Sequence, residues 1–318
     1  YDKLTPLVAH YVGYRRVDSG AALEDLISGP PPTNGLAELL WACGRVGTDA
    51  AVSRVAGYVD HQDAAVRANA VMALMRRGDP EAAALCSARA SSGDAAMCLP
   101  LAVSGGRSDS LALQRSLLKH ALGCEAVIAL GVLGDLSAVR LLIDKLADED
   151  VARAASTALQ LITGADLRED AFIPETLAED ELFDDEREVM RQTGEGPKHP
   201  DGRPFGISVN RASRNPDEWR AWIEAHASEF VAGQRYRLGK PFSLGTLVDT
   251  LVSPLFRRQI RSLAYEELVV RYGIDLPFEA DMRVQEQKKQ INAIARECRA
   301  RESSFQPGGW YFAGELIG

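Results

Sequence analysis

Apolar side chains recur every three or four residues through the first half of the chain, in runs that short polar turns interrupt. One unit places Val127 and Leu130 before such a turn and Val139 and Leu142 after it. This spacing is typical of one buried face of an α-helix. Each unit is therefore predicted to be two helices joined by a tight turn.

The turns themselves repeat along the sequence. The phrases are VGTD (46–49), RGDP (77–80), GRSD (106–109), LGDL (133–136) and TGAD (163–166). Glycine ends a helix in the left-handed conformation, and Asp, Ser or Thr caps the helix that follows. A phosphate-binding loop would instead need one strong glycine-rich site after a strand. Since one helix pair cannot bury its own apolar faces but stacked pairs can, the pattern predicts an all-α solenoid with a long face for recognition. The units resemble HEAT repeats, and this resemblance implies a HEAT-like α-solenoid.

Proline- and glycine-rich breaks divide the chain. SGPPPTNG (28–35) precedes the first clear repeat, and TGEGPKHPDGRPFG (193–206) is predicted to be a long loop at a domain boundary. The chain begins at Tyr1 rather than Met, so a truncated start is expected. The predicted segments are N-terminal helices at 1–34, the repeat array at 35–166, an acidic segment and Gly/Pro linker at 167–212, and a C-terminal helical domain at 213–318.

The C-terminal region has helix signals of its own. Asn215 is a cap followed by Pro at the first helical position, and Trp219 and Trp222 lie three apart on one face of that helix. A further HEAT-like pair is predicted over 243–273, and a long polar helix over 279–303.

Composition and charge narrow the picture. The chain has 318 residues with 46% apolar and 25% charged residues, which is ordinary for a globular protein. The net charge is −9, and residues 166–188 alone carry eleven acids and two arginines, so the imbalance is a local acidic strip. No apolar stretch reaches membrane-spanning length, so no membrane partner and a cytoplasmic location are expected. The five cysteines form no C-x-x-C pair and are predicted to be buried, unexposed thiols.

Motifs of catalysis, cofactor binding and metal binding are not evident. RLGKPFS (237–243) lacks the first glycine of a phosphate loop, and its lysine is followed by Pro241. The histidines never fall at metal-binding spacing, and the acids of 180–188 lack the glycine of a calcium loop. The cations of 281–301 are interleaved with acids, so nucleic acid is not an expected partner. The chain is predicted to be non-enzymatic, without cofactor or metal.

Two resemblances sharpen these expectations. The units over 35–165 are similar to the short HEAT-like repeats of phycobilin lyases. The order of motifs and predicted elements over 35–275 resembles that of a bacterial HEAT-repeat family often encoded beside type VI secretion clusters. The residues that carry this second resemblance are Trp219, Trp222, QRYRLGKP (234–241) and YEEL (265–268). The family implies no catalytic residues.

Aromatic, arginine and acidic residues are the candidates for contact with a partner protein, because Trp, Tyr and Arg dominate interface hot spots. The candidates are Trp219, Trp222, Arg235, Tyr236, Asp184, Asp185, Glu186, Trp310, Tyr311 and Phe312. Core packing of the two tryptophans, a solvated acidic face, and docking of the 310–312 aromatics onto the chain's own repeats are the alternatives.

The function expected from this pattern is a protein-binding scaffold or adaptor. The type VI resemblance implies a secretion accessory, either an effector-loading chaperone or a spike adaptor, whose partner is a secretion spike, an adaptor or an effector. An immunity-type inhibitor of a toxin is the first alternative, and a small-molecule or pigment-attachment protein like phycobilin lyases is the second. The sequence leaves the oligomeric state open.

Overall fold

The repeat half is helical throughout, as predicted. The computed structural model describes residues 5–30, 32, 34–175, 181–194 and 196–317. The first eleven helices within these residues are α1 Thr5–Arg15, α2 Gly20–Ser28, α3 Leu36–Val46, α4 Asp49–Val55, α5 Ala64–Met75, α6 Pro80–Ser91, α7 Cys98–Ser104, α8 Arg107–Lys119, α9 Gly123–Leu133, α10 Val139–Asp144 and α11 Ala152–Thr163.

These helices stack in two layers. In the layer that we call the first, α1, α3, α5, α7, α9 and α11 pack side by side in that order. In the second layer, α2 packs on α4 and α6 packs on α8. Each pair thus buries its apolar faces on its neighbours, and the predicted solenoid is confirmed.

The turn residues act much as the sequence predicts. The carboxylates of Asp79 and Asp135 accept backbone N–H groups at the starts of their helical turns, at 2.8 and 3.0 Å. Before α4 the hydroxyl of Thr48, rather than the carboxylate of Asp49, accepts this bond at 3.0 Å. Asp166 caps no helix, because a strand begins two residues later.

Helices of the first layer approach closely where glycine faces alanine. A Cβ atom on Gly131 of α9 would lie 2.5 Å from the Cα of Ala158 in α11. A Cβ atom on Gly44 of α3 would lie 2.8 Å from the Cα of Ala73 in α5. Small side chains at these positions let neighbouring repeats stack backbone against backbone.

The segment predicted to be a linker contains a β-hairpin instead. Strand β1 (Arg168–Pro174) pairs antiparallel with β2 (Gly206–Ala212), and helix α12 (Asp184–Thr193) lies between them. β-branched residues favour this pairing, as where Ile173 faces Ile207. The glycines and prolines of 193–206 therefore lie at the far end of a hairpin. We call residues 168–212 the arm; residues 176–180 of its acidic stretch lie outside the described residues.

The C-terminal region continues the helical fold and adds two short hairpins. Its elements are α13 Pro216–Ala225, β3 Tyr236–Arg237, β4 Lys240–Pro241, α14 Leu244–Val252, α15 Arg258–Tyr272, α16 Val284–Arg301, β5 Tyr311–Phe312 and β6 Glu315–Leu316. Helices α14 and α15 form the predicted pair, and α16 packs on α14. Within the described residues, no helix is both long enough and apolar enough to cross a membrane.

One hydrophobic core joins this region to the repeats. Trp219, Phe256, Ile260 and Trp310 belong to the same buried cluster as the repeat helices. A second cluster lies among α14, α15 and α16. Helix α15 packs against α7 and α9, so part of the first layer is covered by the chain itself.

Candidate interaction surfaces

Helix α15 is attached to the repeats by two neighbouring glutamates. Glu267 faces Arg235, Arg237 and Arg271, a set that we call the buried arginine cluster. All four side chains are 0% exposed. The Glu267 carboxylate bonds Arg235, lies 2.7 Å from Arg237 Nη2 and lies 3.3 Å from Arg271 Nε.

Backbone carbonyls offset the excess positive charge of this cluster. Arg235 donates to the carbonyls of Leu133 and Val132 at 2.6 and 2.8 Å, at the end of α9. Arg271 donates to the carbonyls of Ala102 and Gly105 at 3.0 Å each, at the end of α7. The last carbonyls of a helix are unpaired and carry partial negative charge. The arginines therefore cap two repeat helices from the inside.

The pKa values of Glu267 and Arg235 reflect both their burial and the charges beside them. Burial tends to raise the pKa of Glu267, but Arg237, Arg235 and Arg271 hold it below its usual value. Burial, followed by the neighbouring charge of Arg271, lowers the pKa of Arg235 to about 9, against the attraction of Glu267. Glu267 and Arg235 are therefore both charged at neutral pH.

Glu266 forms a second cluster with the first repeats. Its carboxylate lies 2.7 Å from Arg45 Nη2 of α3 and 2.5 Å from Arg76 Nη1. Arg76 follows the end of α5, and its Nη2 atom also lies 2.8 Å from Asp275. We call Arg45, Arg76, Glu266 and Asp275 the outer arginine cluster. Together the two clusters fasten α15 along the first layer.

Lowering the pH should weaken the ion pairs of the buried and outer arginine clusters. Burial tends to raise the pKa values of Glu266, Glu267 and Asp275, but the arginines lower all three below their usual values. A depressed folded-state pKa stabilises the fold above the unfolded-state value and loses that stabilisation as pH falls through the folded value. We expect urea midpoints to be flat from neutral pH down to the usual glutamate value of 4.5 and to drop below it. Glu266→Gln should flatten this drop, and a drop parallel to that of the unchanged chain would contradict the assignment.

Most of the aromatic and arginine candidates are interior. Trp219 is buried, and its Nε1 donates to the carbonyl of Ser213 at 2.9 Å. Tyr236 is buried and accepts a backbone N–H bond from Val231 at 2.7 Å. Arg235 is buried in its cluster. These side chains pack in the core and present no surface to a partner. The structure therefore gives them a packing role in place of the predicted binding role.

The three aromatic candidates at the C-terminal end of the chain are interior as well. Trp310, Tyr311 and Phe312 are buried, and the Tyr311 carbonyl accepts from Arg271 at 2.8 Å. The tail therefore packs on its own chain rather than offering an aromatic triplet to a partner. Trp222 is half-buried and stacks on the ring of His226, with centroids 4.0 Å apart.

The acidic candidates are the ones that reach solvent. Asp184, Asp185 and Glu186 lie in the first turn of α12, which has no buried residue within it. The Glu186 carboxylate accepts the Phe183 backbone N–H at 2.9 Å, and Asp184 lies 3.2 Å from Arg187. Acids stabilise this end of a helix, so the sequence builds a small helix with an exposed acidic turn.

Cysteine and metal chemistry add one correction. Cys43, Cys86, Cys98 and Cys298 are buried as predicted, but Cys124 is exposed in the first turn of α9. Among the described residues, no group of three or more His, Cys, Asp and Glu side chains is placed to hold a metal ion.

Comparison with known proteins identifies the repeats. Residues 20–103, from α2 to near the end of α7, match the model of the family described as HEAT repeats. No significant match was found among curated proteins or among solved structures. Residues 20–103 are therefore similar to HEAT repeats, a fold that commonly serves as a protein-interaction scaffold and generally carries no catalysis of its own.

Proposed function

We propose that this protein is a non-enzymatic protein-binding scaffold whose helical body presents the arm to a partner. The observation that carries this proposal is the exposure of apolar side chains along the arm. Phe183 is 76% exposed, and Ile207, Val189, Phe172 and Ile173 are also exposed. Ile173 faces Ile207 across the hairpin, and exposed apolar patches mark interaction sites in soluble proteins.

The acids of the arm suit this role. Asp184, Asp185 and Glu186 stand beside Phe183 at the start of α12. Apolar contacts supply most of the affinity of an interface, while surrounding charges raise the association rate and select the partner. A partner of this kind presents an apolar patch ringed by basic side chains. The arm is favoured over the first layer, part of which α15 covers.

The finer proposal is an accessory of type VI secretion, either an effector-loading chaperone or a spike adaptor. It is supported by the resemblance carried by Trp219, Trp222 and the QRYRLGKP and YEEL motifs. The partner would then be a secretion spike, an adaptor or an effector. An immunity-type inhibitor is the alternative, and the two differ in one readout: an inhibitor abolishes the activity of its toxin, whereas an adaptor leaves it intact.

Shortening the arm should abolish partner capture. Residues 171–209 are replaced by a two-glycine turn, which keeps the base of the hairpin, where Asn210 bonds Asp170 at 2.8 Å and Arg211 bonds Glu169 at 2.7 Å. We expect a tagged full chain to retain specific proteins in a pull-down with mass spectrometry, and the shortened chain to lose them. Circular dichroism should show equal thermal stability, because the removed part lies outside the main core.

Charge variants separate the contribution of the acidic residues of the arm from that of its exposed apolar residues. Removing the charges with Asp184→Asn, Asp185→Asn and Glu186→Gln should weaken capture and reduce its dependence on salt. The matched control removes three exposed acids outside the arm, with Glu81→Gln, Glu224→Gln and Glu229→Gln. A shortened chain that captures the same proteins as the full chain would refute the proposed role of the arm.

A further inference from the structure

A cleft rich in arginine lies where the last repeat, the base of the arm and the C-terminal region meet. It encloses about 570 Å³ between α11, the β1–β2 hairpin and the turn before α15. Five arginines line it, against the two carboxylates of Glu149 and Asp150. We call this site the arginine cleft, lined by Arg153, Arg168, Arg211, Arg214 and Arg257. On a chain of net charge −9, this local excess of cations is unusual.

Three of these arginines lie beyond ion-pair distance of every described carboxylate, although Glu169 and Glu149 still attract Arg214. Arg168 lies 2.6 Å from Asp166, and Arg211 lies 2.7 Å from Glu169. Within the described part of the chain, Arg153, Arg214 and Arg257 form no ion pair. Burial, followed by the nearby charge of Arg211, lowers the pKa of Arg214. An anion in the cleft would relieve this repulsion between cations.

A residue that lines the cleft carries a buried amide with an unmet hydrogen bond. Gln160 of α11 lines the cleft and is only 5% exposed. Its Nε2 group has no hydrogen-bond partner among the described residues. A buried donor without an acceptor costs about 1–3 kcal/mol, so an acceptor brought by a ligand would stabilise this position.

We propose that the arginine cleft binds a short acidic peptide segment of the partner protein. Carboxylates of the segment pair with Arg153, Arg214 and Arg257, and a main-chain carbonyl accepts from Gln160. The volume lies within the range of about 300–1,000 Å³ that is usual for ligand sites. This inference rests on the proposed scaffold function and names the chemistry of a second contact, distinct from the far end of the arm.

A peptide fits the lining better than a nucleic acid does. Glu149 and Asp150 share the cleft with the arginines. Two carboxylates repel a continuous run of phosphates, whereas a peptide can place its acidic side chains at the arginines and its N–H groups, or a lysine, at Glu149 and Asp150. Mixed donors and acceptors are therefore suited to a peptide main chain with acidic side chains.

The test uses Cys124, an exposed thiol on the wall of the cleft, as a reporter. The four other cysteines are buried, so a thiol-reactive reagent should label Cys124 first. We expect a short peptide of alternating Glu and Gly to slow this labelling and, with a fluorescent tag, to bind in an anisotropy titration. The same peptide with Gln in place of Glu, and an oligothymidylate of equal charge, are the comparison ligands.

Variants in the exposed wall should weaken binding without unfolding the chain. Arg153→Gln with Arg257→Gln should raise the dissociation constant about tenfold, since each lost ion pair contributes up to about 1 kcal/mol. Arg115→Gln with Arg140→Gln removes two exposed arginines outside the cleft and is the matched control. Gln160→Leu should weaken binding by about threefold or more, while the urea midpoint stays equal or rises, because the unmet donor is gone.

Three outcomes would overturn the inference. They are no protection of Cys124 by the Glu peptide, equal binding of the Gln peptide, and tighter binding of oligothymidylate, which would assign the cleft to nucleic acid. The shortened arm retains Arg168 and Arg211, so that chain should still bind the peptide even where it loses its partner. Failure of the arm and failure of the cleft are therefore distinguishable.

Discussion

Replacing Glu267 by glutamine should destabilise the folded chain by about 3–5 kcal/mol. The substitution keeps the shape of the side chain and removes its charge. It leaves Arg235, Arg237 and Arg271 buried together, with helix-end carbonyls and the Tyr311 carbonyl as their remaining acceptors. Removing one partner of a buried ion pair destabilises a protein more than replacing both partners by apolar groups, because the remaining charge cannot reach water.

Urea unfolding followed by circular dichroism measures this effect. The matched control is Glu297→Gln, which breaks an exposed contact of 2.6 Å with Arg301 on α16. That control should change the free energy of unfolding by no more than about 0.5 kcal/mol, as exposed pairs one helical turn apart usually do. If Glu267→Gln unfolds at the same midpoint as the control, the carbonyls alone balance the arginines and the carboxylate adds little.

The buried arginine cluster explains two motifs that the sequence singled out without giving their purpose. QRYRLGKP supplies Arg235 and Arg237, and YEEL supplies Glu266 and Glu267. In the sequence these motifs carry a resemblance, and their arginine and tyrosine suggest a partner surface. In the structure they meet each other and join the C-terminal region to the repeats.

Local patterns account for what could be predicted. The repeats follow from helical spacing and from turns whose chemistry acts within a few residues, as at Asp79 and Asp135. The arrangement around Glu267 depends on contacts about 30 residues apart with Arg237 and more than 160 residues apart between Arg271 and Ala102. No local signal distinguishes a buried arginine from an exposed one, so these roles became visible only in the fold.

The arm is another part of the fold that local sequence patterns did not predict. Residues 168–174 are too polar to be read as a strand alone, and their partner strand at 206–212 lies beyond a helix and a glycine-rich stretch. Acidity suggested a solvated segment; Asp184 and Asp185 are exposed and Glu186 is half-buried, and their role in binding a partner stays a prediction. The cleft was not predicted at all, because its arginines come from α11, β1, β2 and two connecting segments and become one site only at the arm's base.

Replacing Gly131 by alanine should destabilise the chain by about 1–3 kcal/mol. Alanine is the better helix former by about 1 kcal/mol, so propensity alone predicts the opposite sign. The new methyl group, however, would lie 2.5 Å from the Cα and 2.6 Å from the Cβ of Ala158. Since backbone atoms cannot turn aside as a side-chain tip can, α9 and α11 must separate.

Gly57→Ala is the matched control for this change. Gly57 lies in an exposed turn with nothing within 4 Å of its Cβ position, so alanine there should be neutral or slightly stabilising. Gly44→Ala should also destabilise, but less, because its nearest backbone atom, on Ala73, is 2.8 Å away. The melting temperature should therefore be lowest for Gly131→Ala, higher for Gly44→Ala and highest for Gly57→Ala. A Gly131→Ala chain as stable as the Gly57 variant would mean that the repeats have room to shift, and that close backbone stacking does not fix their spacing.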